Sequence, residues 1–191
     1  LGAFQVNAYL LEDPATGVCA VVDTGEGPHL ASALAQMDPR PDLRAILLTH
    51  AHFDHAGGLA DVQREFPEAT AYLPALEREL FEMLPRQGSL LFGMADFDRP
   101  CGRIDRHIED GDTVEVGEWR FRFLSTPGHT PGQGCYYDDK YVFSGDTLFA
   151  GSIGRTDFPL SDPELMWNSL RRLLELPGHL LVCSGHGPVT T

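Results

Sequence analysis

The 191 residues carry 14 Lys and Arg against 28 Asp and Glu, a formal net charge of -14. That balance leaves no basic face for nucleic acid or an anionic membrane, and no run approaches the ~18 apolar residues of a membrane helix. At 42% hydrophobic, the chain is expected to form one domain over residues 1–191, burying roughly 70% of its unfolded surface. Cys19, Cys101, Cys135 and Cys183 are scattered without a Cys-x-x-Cys pair, so neither a thiolate metal site nor a disulfide framework is expected. A reducing, cytoplasmic setting follows as the expectation.

Short β-type runs alternate with helical ones. Tyr9–Leu11 and Cys19–Val22 flank a Pro- and Gly-bearing turn and predict a hairpin, and Pro28 opens a helix to about Met37. Ala45 to Leu48 reads as a buried strand that runs straight into Thr49-His50-Ala51-His52-Phe53-Asp54-His55. Gly57-Gly58 closes that loop before a helix to about Phe66. A strand over Thr70–Leu73 and a helix over Pro74–Leu84 follow. From Pro85 to Pro100 the pattern is irregular around Gly88, Gly93 and Leu90-Leu91-Phe92, and it reads as a packed surface loop rather than a lid.

Further on, Thr113–Val116 with Arg120–Leu124, and Cys135–Tyr137 with Tyr141–Phe143, predict two more hairpins. A helix from Pro163 to Leu176 carries Leu165, Met166, Leu170, Leu173 and Leu174 as its core stripe, and Leu180–Cys183 is the last strand. Two halves of similar character imply two sheets sandwiched between helices.

Three histidines and an aspartate within six positions call for a metal. Neutral imidazole and carboxylate suit zinc first, and iron or manganese as well. In extended chain, residues two apart share a face, so His50 and His52 can grip one ion while Asp54 and His55 reach a second. Three later segments each place a glycine immediately before a donor at a strand end: Gly128-His129, Gly145-Asp146 and Gly185-His186. Together they offer five His and two Asp, enough for two divalent ions sharing a carboxylate. His29, His107 and His179 join no constellation and are expected at the surface.

The set His50-x-His52-x-Asp54-His55, His129, Asp146 and His186 resembles the metallo-β-lactamase superfamily across nearly the whole chain. The resemblance implies an α/β fold, a four-layered αββα sandwich with a dinuclear site at one edge. It further implies a first ion on His50, His52 and His129, a second on Asp54, His55 and His186, and Asp146 bridging, with Asp23 supporting a ligand from behind. Within the superfamily, Ser144-Gly145-Asp146-Thr147-Leu148-Phe149 and Gly154-Arg155-Thr156-Asp157-Phe158-Pro159 are similar to the small single-domain type II glyoxalases. Those enzymes hydrolyse glutathione thioesters. Arg155 stands where larger members place a substrate-binding lysine, Pro188 where they have a tyrosine, and their helical C-terminal domain is not expected here.

The resemblance thus implies hydrolysis of a small-molecule thioester by hydroxide formed on the ions, with Asp54 and Asp146 as catalytic residues and Arg155 contacting substrate. The alternative is a persulfide dioxygenase of the same superfamily, which uses one iron on the positions of His50, His129 and Asp146. Lactonase, β-lactamase and a non-catalytic metal-stabilised module rank after it.

Overall fold

The computed structural model describes residues 1–191, the side chain of Phe92 excepted. The first half holds β1 (Tyr9–Glu12), β2 (Val18–Val22), α1 (His29–Ala35), β3 (Asp42–Leu47), α2 (Phe53–Ala56), α3 (Leu59–Glu65) and β4 (Thr70–Pro74). A 3-10 turn over Ala75–Glu77, α4 (Arg78–Glu82), α5 (Leu84–Phe92) and β5 (Arg106–Ile108) complete it. The second half holds β6 (Thr113–Val116), β7 (Trp119–Ser125), β8 (Gly134–Tyr137), β9 (Tyr141–Gly145), β10 (Leu148–Phe149), β11 (Ser152–Ile153), α6 (Pro163–Leu173) and β12 (Leu181–Ser184).

Pairing gives two five-stranded sheets, β1-β2-β3-β4-β5 and β12-β9-β8-β7-β6, and a small β10-β11 ribbon. In the first sheet β2 to β5 run parallel and β1 is antiparallel; in the second, β12 pairs in parallel with β9 and the rest is a meander.

Because successive strand side chains face opposite ways, the strands feed three separate cores. Cys19 and Val21 of β2 pack with Leu30, Leu34, Leu59 and Val62 of the first helical layer, whereas Ala20 and Val22 face Phe121, Phe123, Tyr136 and Phe143 of the second sheet. On the far side, Cys135, Val142 and Val182 meet Leu173 of α6. One core between the two sheets and one between each sheet and its helices make four layers, the αββα sandwich expected from the sequence. Among the described residues no helix is long and apolar enough to cross a membrane.

Two expectations need correction. The stretch from Pro85 to Pro100 is not a loop throughout: α5 occupies most of it, with Pro85 in the first turn and Gly93 (φ +66°) as a left-handed cap, followed by a 3-10 turn over Ala95–Phe97. The residues that suggested irregularity are helix boundaries. In α6 the inward stripe is Met166, Ser169, Leu170 and Leu173, while Leu165 and Leu174 are exposed, because each lies about 100° round the helix from its inward neighbour, Met166 or Leu173. The short β5 and the β10-β11 ribbon lacked enough alternation to be predicted.

Candidate metal centre

Each segment that carries the expected donors leaves the end of a strand. His50 follows β3, His129 follows β7, Asp146 follows β9 and His186 follows β12, so one edge of the sandwich collects donors from both sheets. His52 precedes α2, which carries Asp54 and His55 on its single turn.

The donors form three overlapping groups whose ligand atoms lie within 4.8 Å of one another: His50, His52 and His129; Asp54, His55 and His186; and, between them, His50, His55 and Asp146. Asp146 spans the first two. Its Oδ2 is 3.4 Å from His129 Nε2, while its Oδ1 is 3.3 Å from His55 Nε2 and 3.7 Å from His186 Nε2. Asp54 Oδ2 is 3.4 Å from His186 Nε2. His29, His107 and His179 are exposed and take no part.

Neighbouring groups fix which ring nitrogens face inward. Thr49 Oγ1 donates to Asp23 and accepts from His50 Nδ1–H at 3.1 Å. His55 Nδ1–H donates to Asp23 Oδ2 at 2.8 Å, and His129 Nδ1–H donates to the Arg155 carbonyl at 2.8 Å. Each Nε2 thereby faces inward, its lone pair available to a cation once any proton on it has left. His50 Nε2, His55 Nε2 and Asp146 Oδ1 are buried without a hydrogen bond in the protein, and His129 Nε2 and His52 Nδ1 converge at 2.9 Å. Buried lone pairs aimed at common points, beside two carboxylates, fit divalent cations. Asp23 sits where the sequence placed it, with φ +57° at the end of β2, supporting His55 and the Thr49 main chain.

Titration behaviour matches a cation site. Burial, and then the surrounding imidazoles, hold His50 well below the usual histidine range, and burial together with His129 lowers His52 to about 3. Both therefore stay neutral ligands at ordinary pH. Burial is the largest influence on Asp54 and Asp146 and opposes their ionisation, but the surrounding imidazoles, His55 first among them, together outweigh it and hold both carboxyls below the ordinary range. Burial likewise opposes charge on His55, yet Asp146, Asp54 and Asp23 push it well above the usual value.

Two glycines are required by close approach. A methyl group on Gly185 would fall 2.5 Å from Asp146 Oδ1, and one on Gly145 (φ +48°) would fall 2.6 Å from Thr49 Oγ1.

Above the donors lies a cavity of about 310 Å³ walled by Phe4, Phe149, Ile153, Arg155 and Phe158. The Arg155 guanidinium is held by both oxygens of Asp157, at 2.6 and 2.7 Å, and lies 4.3 Å over the Phe158 ring. A larger hollow of about 700 Å³ along β6 to β9 holds none of these donors.

Sequence reasoning missed Thr49 as a support, the aromatic wall, and two buried side chains beneath the loop, Glu77 and Gln87. It also missed Asn7, whose Nδ2–H groups donate to the Ser184 and Gly187 carbonyls and steady the turn bearing His186.

The chain is similar to several known proteins. Hydroxyacylglutathione hydrolase of Salmonella typhi is 36% identical over 184 residues, 96% of this chain but 63% of that protein's length, so the chain spans under two thirds of that relative. Hydroxyacylglutathione hydrolase GloC of Haemophilus influenzae is 34% identical over 193 residues, covering 99% of this chain and 89% of that protein. Among solved structures, TTHA1623 in a di-iron-bound form is 40% identical with a TM-score of 0.85, covering 100% of this chain and 92% of the other. The BLEG-1 B3 metallo-beta-lactamase is 36% identical with a TM-score of 0.87, covering 100% and 91%. A family profile described as the metallo-beta-lactamase superfamily matches residues 1–186, and the chain belongs to that superfamily.

Proposed function

We propose that this protein is a dinuclear metal-dependent hydrolase of small thioesters of the hydroxyacylglutathione type. The carrying observation is Asp146, whose two oxygens face two different donor triads. His50, His52 and His129 would hold one ion, Asp54, His55 and His186 the other, and Asp146 would touch both. Divalent ions bound there lower the pKa of water toward about 7 and polarise a carbonyl.

The reaction adds water across the C–S bond: the acyl carbon gains the hydroxyl, and the sulfur leaves as thiolate and takes up a proton. A thiolate is a good leaving group, so no dedicated acid is required. Asp54, kept ionised by His55 and His186, is placed to orient the attacking water. The aromatic wall excludes bulk water and receives the apolar parts of the substrate, and Arg155 at the rim is the cation available to a substrate carboxylate. The thioester assignment draws on the hydroxyacylglutathione hydrolases at 34% and 36% identity. Zinc is the first choice of metal, and the di-iron form of TTHA1623 supports iron as a second.

The test is metal analysis of the purified protein together with turnover of lactoylglutathione, glutathione persulfide, a lactone and a β-lactam. Two ions per chain and free thiol released from lactoylglutathione are expected, both being lost in D146A. One iron per chain with oxygen uptake on the persulfide would replace this reading with a dioxygenase. Turnover confined to the β-lactam would replace it with a lactamase.

A further inference from the structure

The peptide units between the first two histidines of the loop are held at both polar groups of Ala51 by side chains from the segment that follows β4. Glu77 accepts from Ala51 N–H through Oε2 at 2.8 Å and from Gly132 N–H through Oε1 at 2.7 Å. Gln87, on α5, donates from Nε2 to Ala51 O at 2.8 Å and to Leu80 O at 2.7 Å, and its Oε1 accepts from Phe53 N–H at 3.0 Å. Both side chains are 0% exposed. Burial disfavours the ionised form of Glu77, so a carboxylate kept there needs a compensating role.

Its connections define that role. Ala51 lies between His50 and His52, so a rotation of either adjoining peptide unit would swing both rings. Gly132 closes the turn that carries His129. Glu77 is therefore a strut between the two loops that supply all three donors of the first triad, and Gln87 locks the same peptide from its other side. The second triad has a support of its own in Asn7, on the turn of His186, whereas Asp23 reaches both triads, directly through His55 and through Thr49 to His50.

We propose that Glu77, with Gln87 behind it, is a positioning residue chiefly for the His50–His52–His129 site, so that the affinity of that site can be adjusted separately from the other. This rests on the two-ion reading above. Partners that orient a ligand typically alter metal affinity by about 10- to 100-fold.

The test is a stepwise zinc titration of metal-free protein against a chromophoric chelator, for wild type, E77Q, N7A and the double variant. E77Q keeps the shape but leaves one acceptor where two N–H groups need one each. It is expected to weaken one of the two dissociation constants by about tenfold or more and to leave the other within about threefold. N7A, which frees the turn of His186, is expected to weaken the other constant, and the double variant both. A wild-type chain that binds one ion removes the two-ion reading and the proposal with it. If wild type binds two while E77Q weakens both equally, weakens neither, or weakens the one that N7A weakens, the proposal alone fails. Circular dichroism of the metal-free variants reports folding. Should E77Q unfold, Q87M replaces it, since it fills similar volume without the amide. Should both unfold, the two residues serve the fold and the proposal is overturned.

Discussion

At Gly185 the absence of a side chain is itself a component of the metal centre. A Cβ there would meet Asp146 Oδ1 and His55 Cε1 at 2.5 and 2.7 Å, and both belong to fixed groups. G185A is therefore expected to fold but to retain metal about tenfold less well, a loss read by metal analysis after dialysis. Arg155 makes a second prediction. Its fork is filled by Asp157 in an exposed pair, so R155A should change stability by no more than about 0.5 kcal/mol. Asp157 takes the Nε–Nη2 edge, so a substrate carboxylate would meet the Nη1 side of the guanidinium against the competing charge of Asp157. Consequently D157N should lower KM for a carboxylate-bearing thioester and R155A should raise it, with kcat little changed in either. The donors were legible because four of the seven fall within six positions and the others each follow a glycine at a strand end. Glu77 was not, since Glu79 and Glu82 look alike in sequence. Only its place on the face of Leu73, Leu80, Phe81 and Leu84 marks it as inward, and an acidic residue there breaks the apolar pattern that periodicity reads.

At the scale of elements, α6 both covers the second sheet and anchors a ligand loop. Asp162 caps it, accepting from Glu164 N–H and Leu165 N–H at 2.8 and 3.0 Å. The same turn holds the His129 loop, with Asp162 N–H donating to Gly128 O and Ser161 Oγ–H to His129 O. D162A is expected to cost about 1 kcal/mol by urea unfolding, with the loss of side-chain capping confined to α6. The strands and most helices were readable from alternation and Pro placement. α5 was hidden because Pro85, Gly88 and Gly93 crowd nine residues, and breakers in sequence do not say whether they interrupt an element or bound it.

For the whole molecule, ions that bind only the folded chain stabilise it by mass action, about 4 kcal/mol at a thousandfold excess over Kd. Chelation should therefore lower the melting temperature by on the order of 10 °C for a chain of this size. Re-addition of zinc should restore it, and differential scanning fluorimetry reads both. An unchanged melting point would contradict metal binding at this edge. The four layers were legible in outline, yet which strand pairs with which was not, because the β2-β3-β4-β5 and β12-β9 pairings are parallel and join segments distant in sequence.

The placement of donors at strand ends of both sheets has a consequence for how the chain reaches its final form. Four donors lie close together at positions 50 to 55, but His129 comes 74 residues after His55 and His186 another 57 after that. The first site cannot close until β7 has docked, nor the second until β12 has, steps set by slow long-range contacts. The two sites thus complete in order, and a chain emerging from synthesis offers a passing ion only a fragment of the second site until β12 is in place.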